Sequence, residues 1–190
     1  MVNLTRIYTR TGDDGTTALG DMSRTTKTDP RLVAYADTNE ANAAIGVAIA
    51  AGALPEDVSV VLTRIQNDLF DVGADLATPV VEDPEYPPLR VLQSYIDRLE
   101  TDCDHYLESL EKLRSFILPG GTAGAAYLHL ACTVVRRAER ATWAAIELHG
   151  DTVNPLTAKY LNRLSDLLFI LARAANKERG DVLWVPGENR

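Results

Sequence analysis

The chain has 190 residues, 46% hydrophobic and 24% charged, a balance that fits one globular domain long enough to bury its own core. A formal net charge of −8 excludes a nucleic-acid or anionic-membrane partner, since either needs a basic face, yet it permits a small anion held by clustered Arg and Lys. Two cysteines, Cys103 and Cys132, exclude a disulfide framework, and the absence of a membrane-span pattern or signal-peptide core makes a cytoplasmic protein the expectation.

Residues 1–30 are rich in Thr, Gly, Asp and Arg and read as an extended or looped arm. After Pro30 the pattern turns helical. The first predicted helix runs from Val33 to about Ala51, with Ala41, Ile45, Ala48 and Ile49 on one side. The second carries Val58, Val61, Leu62, Ile65, Leu69, Val72 and Leu76 at steps of three and four, one buried face. It ends near Thr78-Pro79, where a proline-rich stretch cannot continue a helix. A third begins near Leu89 and repeats Leu92, Ile96, Leu99, Cys103, Leu107, Leu110 and Leu113, which makes Cys103 a core residue.

Pro119-Gly120-Gly121 is a turn, and Thr122 caps a fourth predicted helix that reaches about His149. Asn154-Pro155 is a cap with proline at the first helical position. The fifth helix follows to about Lys177, with Leu156, Tyr160, Leu161, Leu164, Leu167, Leu168 and Leu171 inward. Only Val182–Val185 has a strand-like run. The expected fold is all-α, a five-helix bundle with an extended N-terminal arm. It forms a single domain over 1–190, with the arm at 1–30, the bundle at 31–178 and a tail at 179–190.

The fourth helix bears Arg136, Arg137, Glu139 and Arg140 among small residues. Arg136 and Arg140 are one turn apart on the line of Cys132, whereas Arg137 points elsewhere. The cluster is either a solvated charged face, with Glu139 compensating Arg136, or a rigid fork for phosphate oxygens. The arm run Thr9-Arg10-Thr11-Gly12-Asp13-Asp14-Gly15-Thr16-Thr17, then Lys27, lacks the Gly-Lys-Ser/Thr of a Walker loop. It reads either as a polar terminus or as a glycine-rich anion cradle. Asn162 and Asp166 are a turn apart on the fifth helix and suit a hydrogen-bond network. His105, His129 and His149 show neither metal spacing nor a base–nucleophile arrangement, and read as structural.

Taken together and in order, Ile7–Gly15, Ser23-Arg24 with Lys27 and Arg31–Tyr35, Phe116–Gly121, Arg136–Arg140 and Tyr160–Asp166 resemble the PduO-type ATP:cob(I)alamin adenosyltransferases over residues 5 to 178. The resemblance implies transfer of the 5′-deoxyadenosyl group of ATP to cobalt(I), releasing triphosphate and forming adenosylcobalamin. It implies a homotrimer with active sites between subunits. It places ATP on Thr9, Arg10, Thr11, Gly12, Thr17, Ala18 and Lys27 of the arm, with Arg136, Arg137, Ala138, Glu139, Arg140 and Asn162 completing the site from a partner. Arg136, Arg140 and Asn39 are the residues it marks as catalytic, Phe116 as the corrinoid contact, and Mg2+ as travelling with ATP rather than on a protein motif. A reductase supplying cob(I)alamin and an adenosylcobalamin-dependent mutase are the implied protein partners.

Two positions depart from the family's pattern. Asn39-Glu40-Ala41-Asn42 stands where the family usually has Asp-Glu-Leu-Asn, and its Asp commonly pairs with the first arginine, here Arg136. A charge-assisted pair worth roughly 1.5–3 kcal/mol is thereby weakened. Cys132 stands where members often carry arginine, leaving a thiol near cations. Beside the enzyme, two other classes fit these residues: a corrinoid carrier that binds but transfers poorly, and a helical interaction module with no ligand.

Overall fold

The computed structural model describes residues 8–188; Ile7, the first six positions of the arm and the last two of the tail lie outside them. Its helices are α1 (Pro30–Ala51), α2 (Glu56–Leu76), α3 (Gln93–Leu107), α4 (Ala123–His149) and α5 (Pro155–Ala175). α1 packs on α2 and α4, α4 on α5, and α5 on α3. The periodic leucines do what their spacing requires. Leu62, Ile65 and Leu76 of α2 and Leu161, Leu164, Leu168 and Leu171 of α5 are fully buried.

The helix starts rest on side-chain caps that satisfy otherwise orphaned amides. Asp29 accepts from the Arg31 amide at 2.8 Å with Pro30 at the first helical position. Thr122 accepts from the Ala125 amide at 3.1 Å, and Asn154 from the Leu156 amide at 3.1 Å with Pro155 behind it.

Two expectations are corrected. The third helix is shorter than the Leu89–Leu113 stripe. Leu89, Arg90 and Val91 lie outside the helix, where the buried carboxylate of Asp75 takes the Val91 amide at 2.7 Å and the Arg90 guanidinium at 2.5 Å. The arm is not merely a loop either. β1 (Thr16–Ala18) and β2 (Arg24–Thr26) pair antiparallel with Thr17 opposite Thr25, too short and too polar to leave a period-2 signal. The hairpin turn docks on the bundle where the Gly20 amide reaches the Ala77 carbonyl at 2.7 Å. In the tail, Ile117 and Leu183 form an isolated antiparallel bridge, which accounts for the strand-like Val182–Val185 run.

One end of the bundle is tied by buried charge. Arg31, only 2% exposed, donates to the carbonyls of Leu76 (3.0 Å) and Thr152 (3.1 Å). Asp75 additionally accepts from Asn154 Nδ2 at 2.6 Å. Buried charges persist only when fully partnered. Asp75→Ala should therefore cost roughly 3–5 kcal/mol in denaturant unfolding, since it strands the Arg90 guanidinium. A loss below about 1 kcal/mol would mean that solvent reaches this end.

His129 is buried and makes no hydrogen bond among the described residues. Burial pushes its ring below the usual histidine range, against a smaller opposing pull from Asp181. The unfolded chain then takes up this proton near pH 6.5 while the folded chain resists it. Stability should fall as pH drops through about 6.5, and His129→Gln should flatten that part of the stability–pH curve.

Candidate active site

In the arm, the turn Thr9–Gly15 folds over β1. Thr9 and Thr11 share a hydroxyl–hydroxyl bond of 2.9 Å, and Arg24 donates to the Thr11 carbonyl at 2.8 Å and to the Thr16 hydroxyl. Asp14 is committed to this turn. Bonds from the Thr16 hydroxyl (2.7 Å) and amide (2.9 Å), with Arg24 nearby, hold its carboxyl below the usual range. Arg10 sits at φ 62, a left-handed conformation that costs a non-glycine residue strain, and its guanidinium lies 5.9 Å from the Tyr8 ring centroid. A Cβ on Gly12 would stand 2.9 Å from the Thr16 carbonyl and 3.1 Å from Lys27 Nζ, and it is the fixed backbone carbonyl that leaves no room for a side chain here. The Lys27 ammonium itself makes no hydrogen bond or ion pair among the described residues. Thr17 and Ala18 follow on β1, half-buried and exposed.

On α4 the three arginines divide as their spacing predicts. Arg137 turns to α1 and pairs with Asp37 (3.5 Å) and Glu40. Arg136 and Arg140 are exposed. Arg140 donates to the Arg136 carbonyl at 3.2 Å, and the Arg136 guanidinium makes no bond among the described residues. Glu139 does not compensate Arg136. Its Oε1 accepts from Trp143 Nε1 (3.3 Å) and Asn162 Nδ2 (3.2 Å). Asn162 and Asp166 do not form a pair, because Asp166 takes Arg163 at 2.5 Å. Ala131 and Ala138 are fully buried in this chain's own core, so they serve α4's packing within the bundle. Asn39 is half-buried on α1 with no bond among the described residues. The Cys132 thiol is pushed up by burial ahead of the opposing Arg136 and bonds the Ser165 carbonyl at 3.2 Å. It is a packing residue.

The α4–α5 seam orders these groups. Glu139 meets Asn162, Cys132 meets Ser165, and His129 meets Phe169 at 5.8 Å between ring centroids. Along both helices this climbs from a polar surface to an apolar mouth, roughly 10 Å over seven residues of α5 and roughly 15 Å over ten residues of α4. The mouth is a cavity of about 640 Å³ bounded mainly by Leu113, Phe116, Ile117, Phe169 and Trp184, with Arg114 and Ser115 also on its lining, within the usual size range of small-molecule sites. Phe116 is 78% exposed and meets Trp184 edge-on at 5.8 Å. The tail fixes Trp184 by backbone pairing, Trp184 amide to Phe116 carbonyl at 2.9 Å and Leu118 amide to Val182 carbonyl at 2.7 Å. Behind them the buried Asn176 clasps the turn, accepting from the Thr122 amide and donating to the Gly120 carbonyl, each at 2.9 Å. Gly121 sits at φ 107 against it.

Trp184, Phe169 and Asn176 are the site residues that sequence reasoning missed. Trp184 had a signal in the apolar Val182–Val185 run; Asn176, past the end of α5, had none.

Arg136 and the arm are not brought together within one chain. β2 leads into Asp29, which bonds His149 Nε2 at 2.8 Å at the far end of α4. From Arg136 to His149 is roughly 20 Å of helix. Among the described residues no cluster of His, Cys, Asp and Glu is arranged to hold a metal ion, and no helix is long and apolar enough to cross a membrane.

The family model described as "Cobalamin adenosyltransferase" matches residues 7–175. A corrinoid adenosyltransferase of Mycobacterium tuberculosis is 66% identical over 189 residues, covering 100% of this chain and 97% of the relative. That of Bacillus subtilis is 39% identical over 178 residues, 92% of this chain and 89% of the relative. Among solved structures, a variant PduO-type ATP:corrinoid adenosyltransferase from Lactobacillus reuteri, complexed with cobalamin and ATP, superposes with a TM-score of 0.86 at 36% identity, over 94% of this chain and 99% of that one.

Because the Arg136 guanidinium is free and exposed, Arg136→Ala should leave thermal stability within about 0.5 kcal/mol of the parent. A larger loss would show that it holds the bundle together.

Proposed function

This chain belongs to the cobalamin adenosyltransferase family and is an ATP:corrinoid adenosyltransferase, and we propose from that premise how its own residues carry the transfer of the 5′-deoxyadenosyl group from ATP to cob(I)alamin. The observation that supports the reading most is the α4–α5 seam. It sets an anion-ready stripe, with Arg136 and Asn162 about two helical turns and Arg140 about three turns from the largely apolar cavity of Phe116, Phe169 and Trp184.

On this reading the corrinoid enters the cavity and the triphosphate lies on the stripe. Cobalt(I) supplies the electron pair that attacks C5′, the C5′–O bond breaks, and the triphosphate leaves with that bond's electrons. The protein then needs no general base or covalent nucleophile, which fits three histidines with no catalytic arrangement. Its task is alignment and charge. Lys27 and Arg10 with Thr9, Thr11, Gly12, Thr17 and Ala18 wrap the nucleotide from the arm. Arg136 and Arg140 take the departing phosphates, while Glu139 orients Asn162 and Arg137 holds α4 to α1, with Ala138 packed between. Mg2+ arrives as the counter-ion of the triphosphate. Phe116 presents its exposed ring to the corrin's lower face and keeps an axial base off cobalt. Asn39 is then the neutral neighbour of the arginine stripe and weakens its anchoring.

The arm and the stripe are far apart along α4 of one chain, so the reading includes a homotrimer in which one subunit's arm closes over its neighbour's arginines. It also includes residence in the cytoplasm, with a reductase that delivers cob(I)alamin and an adenosylcobalamin-dependent mutase that uses the product. A carrier that binds without transfer is the rival, and Asn39 is its one support. A large rise in turnover for Asn39→Asp with unchanged ATP affinity would favour it.

The direct assay mixes reduced cobalamin, ATP and Mg2+ with the protein. The adenosylcobalamin spectrum should appear, and its absence overturns the reading. Arg140→Ala should cut turnover at least about tenfold, or about 1.4 kcal/mol, with an unchanged melting midpoint. Phe116→Ala should impair cobalamin far more than cobinamide, which has no lower base to exclude. Co-refolding equal amounts of Lys27→Ala and Arg140→Ala chains should restore about a quarter of the activity if sites lie between subunits, because about one interface in four pairs two intact halves. No restoration would place the site within one chain.

A further inference from the structure

We propose that His129 is a positioning residue for the corrinoid cavity, acting through Phe169 and through the Asp181 root of the tail segment that carries Trp184. The inference rests on the assignment of that cavity to the corrinoid.

His129 lies inside α4 and is 6% exposed. Its ring meets Phe169 edge-on, interplanar angle 70°, and Phe169 forms the cavity's inner wall. Its Nε2 is buried without a partner, and so is Asp181 Oδ1. Only one other side-chain atom among the described residues shares that condition. The two atoms do not bond each other, and the Asp181 carboxylate acts on the buried ring only through space, against the larger effect of burial. The other oxygen of Asp181 accepts from Arg173 Nε at 2.9 Å, and Arg173 donates to the Glu111 carbonyl at 2.7 Å. Asp181 is thus held by α5 and by the loop after α3, and the next residue, Val182, begins the pairing that places Trp184 beside Phe116.

Simple core filling does not explain this choice. A leucine or phenylalanine would pack against Phe169 without stranding a buried polar atom, and stranded donors are destabilising. Histidine at this rung of the seam acts on two walls at once, on Phe169 by the edge-on contact of its ring and on the Asp181 root of the tail through space, with no hydrogen bond between them. It touches neither substrate on this geometry, and acts only by setting where Phe169 and Trp184 stand.

The test uses the full-length enzyme and three variants, His129→Phe, His129→Gln and Asp181→Asn. Each is measured for kcat, for KM toward cob(I)alamin and toward ATP, and for melting midpoint. His129→Phe should raise the corrinoid KM at least about fivefold while the ATP KM stays within about twofold, with a midpoint equal to the parent or above it. His129→Gln keeps a donor and should recover most of that loss, and Asp181→Asn should raise the corrinoid KM in the same selective way. An unchanged corrinoid KM in His129→Phe, an equal rise in both KM values, or a Gln variant no better than Phe would each overturn the proposal. Should His129→Phe fail to fold, the Gln and Asn variants decide it, by selective or unselective loss. Phe116→Ala separates the two possible failures. If it also leaves corrinoid kinetics unchanged, the cavity assignment falls together with the proposal. If it impairs them while the His129 variants do not, the positioning role alone falls.

Discussion

The register of α4 against α5 is the constraint on which the rest of the site depends. It is fixed by groups that cannot slide, the Cys132 thiol on the Ser165 carbonyl and the His129 ring on Phe169. A slip by one turn would move Arg136 and Asn162 by about 5 Å relative to the cavity. Two substrates that must meet at one bond tolerate far less than that. The turn that sets the register is itself pinned, because Asn154 caps α5 while bonding Asp75, and Arg31 holds Thr152. The buried charges at that end are remote from the cavity, yet they determine where α5 begins and therefore which of its residues reach it.

The arginines show how a chain of net charge −8 keeps cations available for an anion. Arg31, Arg90, Arg137 and Arg173 are each occupied by carboxylates or carbonyls. Arg136 and Lys27 are left with no such partner among the described residues. An unpaired exposed cation is cheap in water and becomes strong only when a ligand excludes that water. On the proposed reading, this places the charge stabilisation where triphosphate develops and leaves folding to the paired arginines. The changes at Asn39 and Cys132 fit the same division. Neither adds a charge that would compete for Arg136, and Cys132 contributes packing where a further cation would have had to be desolvated.

Much of this was legible in the sequence, and the exceptions have physical causes. Helices α2 and α5 announced themselves because their buried faces are long and regular, and the caps at Thr122 and Asn154 marked helix starts. The division of the arginines, with Arg137 apart from Arg136 and Arg140, followed from helical spacing alone. The third helix was overdrawn because its apolar period continues through Leu89 and Leu113. Asp75, distant in sequence, pulls Val91 out of helical geometry by bonding its amide. The hairpin was missed because three-residue strands of Thr and Arg carry no alternation. Trp184 and Asn176 were missed for another reason, since they act by pairing with a turn some sixty residues earlier. Local pattern cannot register such a partner, and the glycines of that turn gave only half of the contact.

The arm carries the sharpest consequence of the geometry. Its own contacts orient it toward one end of the bundle: Gly20 on Ala77, Asp29 on His149, Thr25 on Asp29. Those bonds would have to break for Lys27 to reach Arg136 of the same chain, and the buried Arg31 that follows directly would be dragged with them. On the proposed reading, extending to a neighbouring chain needs no such rearrangement, because Tyr8 to Thr11 and Asp13 to Gly15 are exposed. On the proposed reading, an arm docked at the wrong end for its own arginines serves another subunit's. On the proposed reading, assembly and ATP binding are then a single event, in which each subunit supplies the lid and leaves its own arginine stripe for a neighbour to cover.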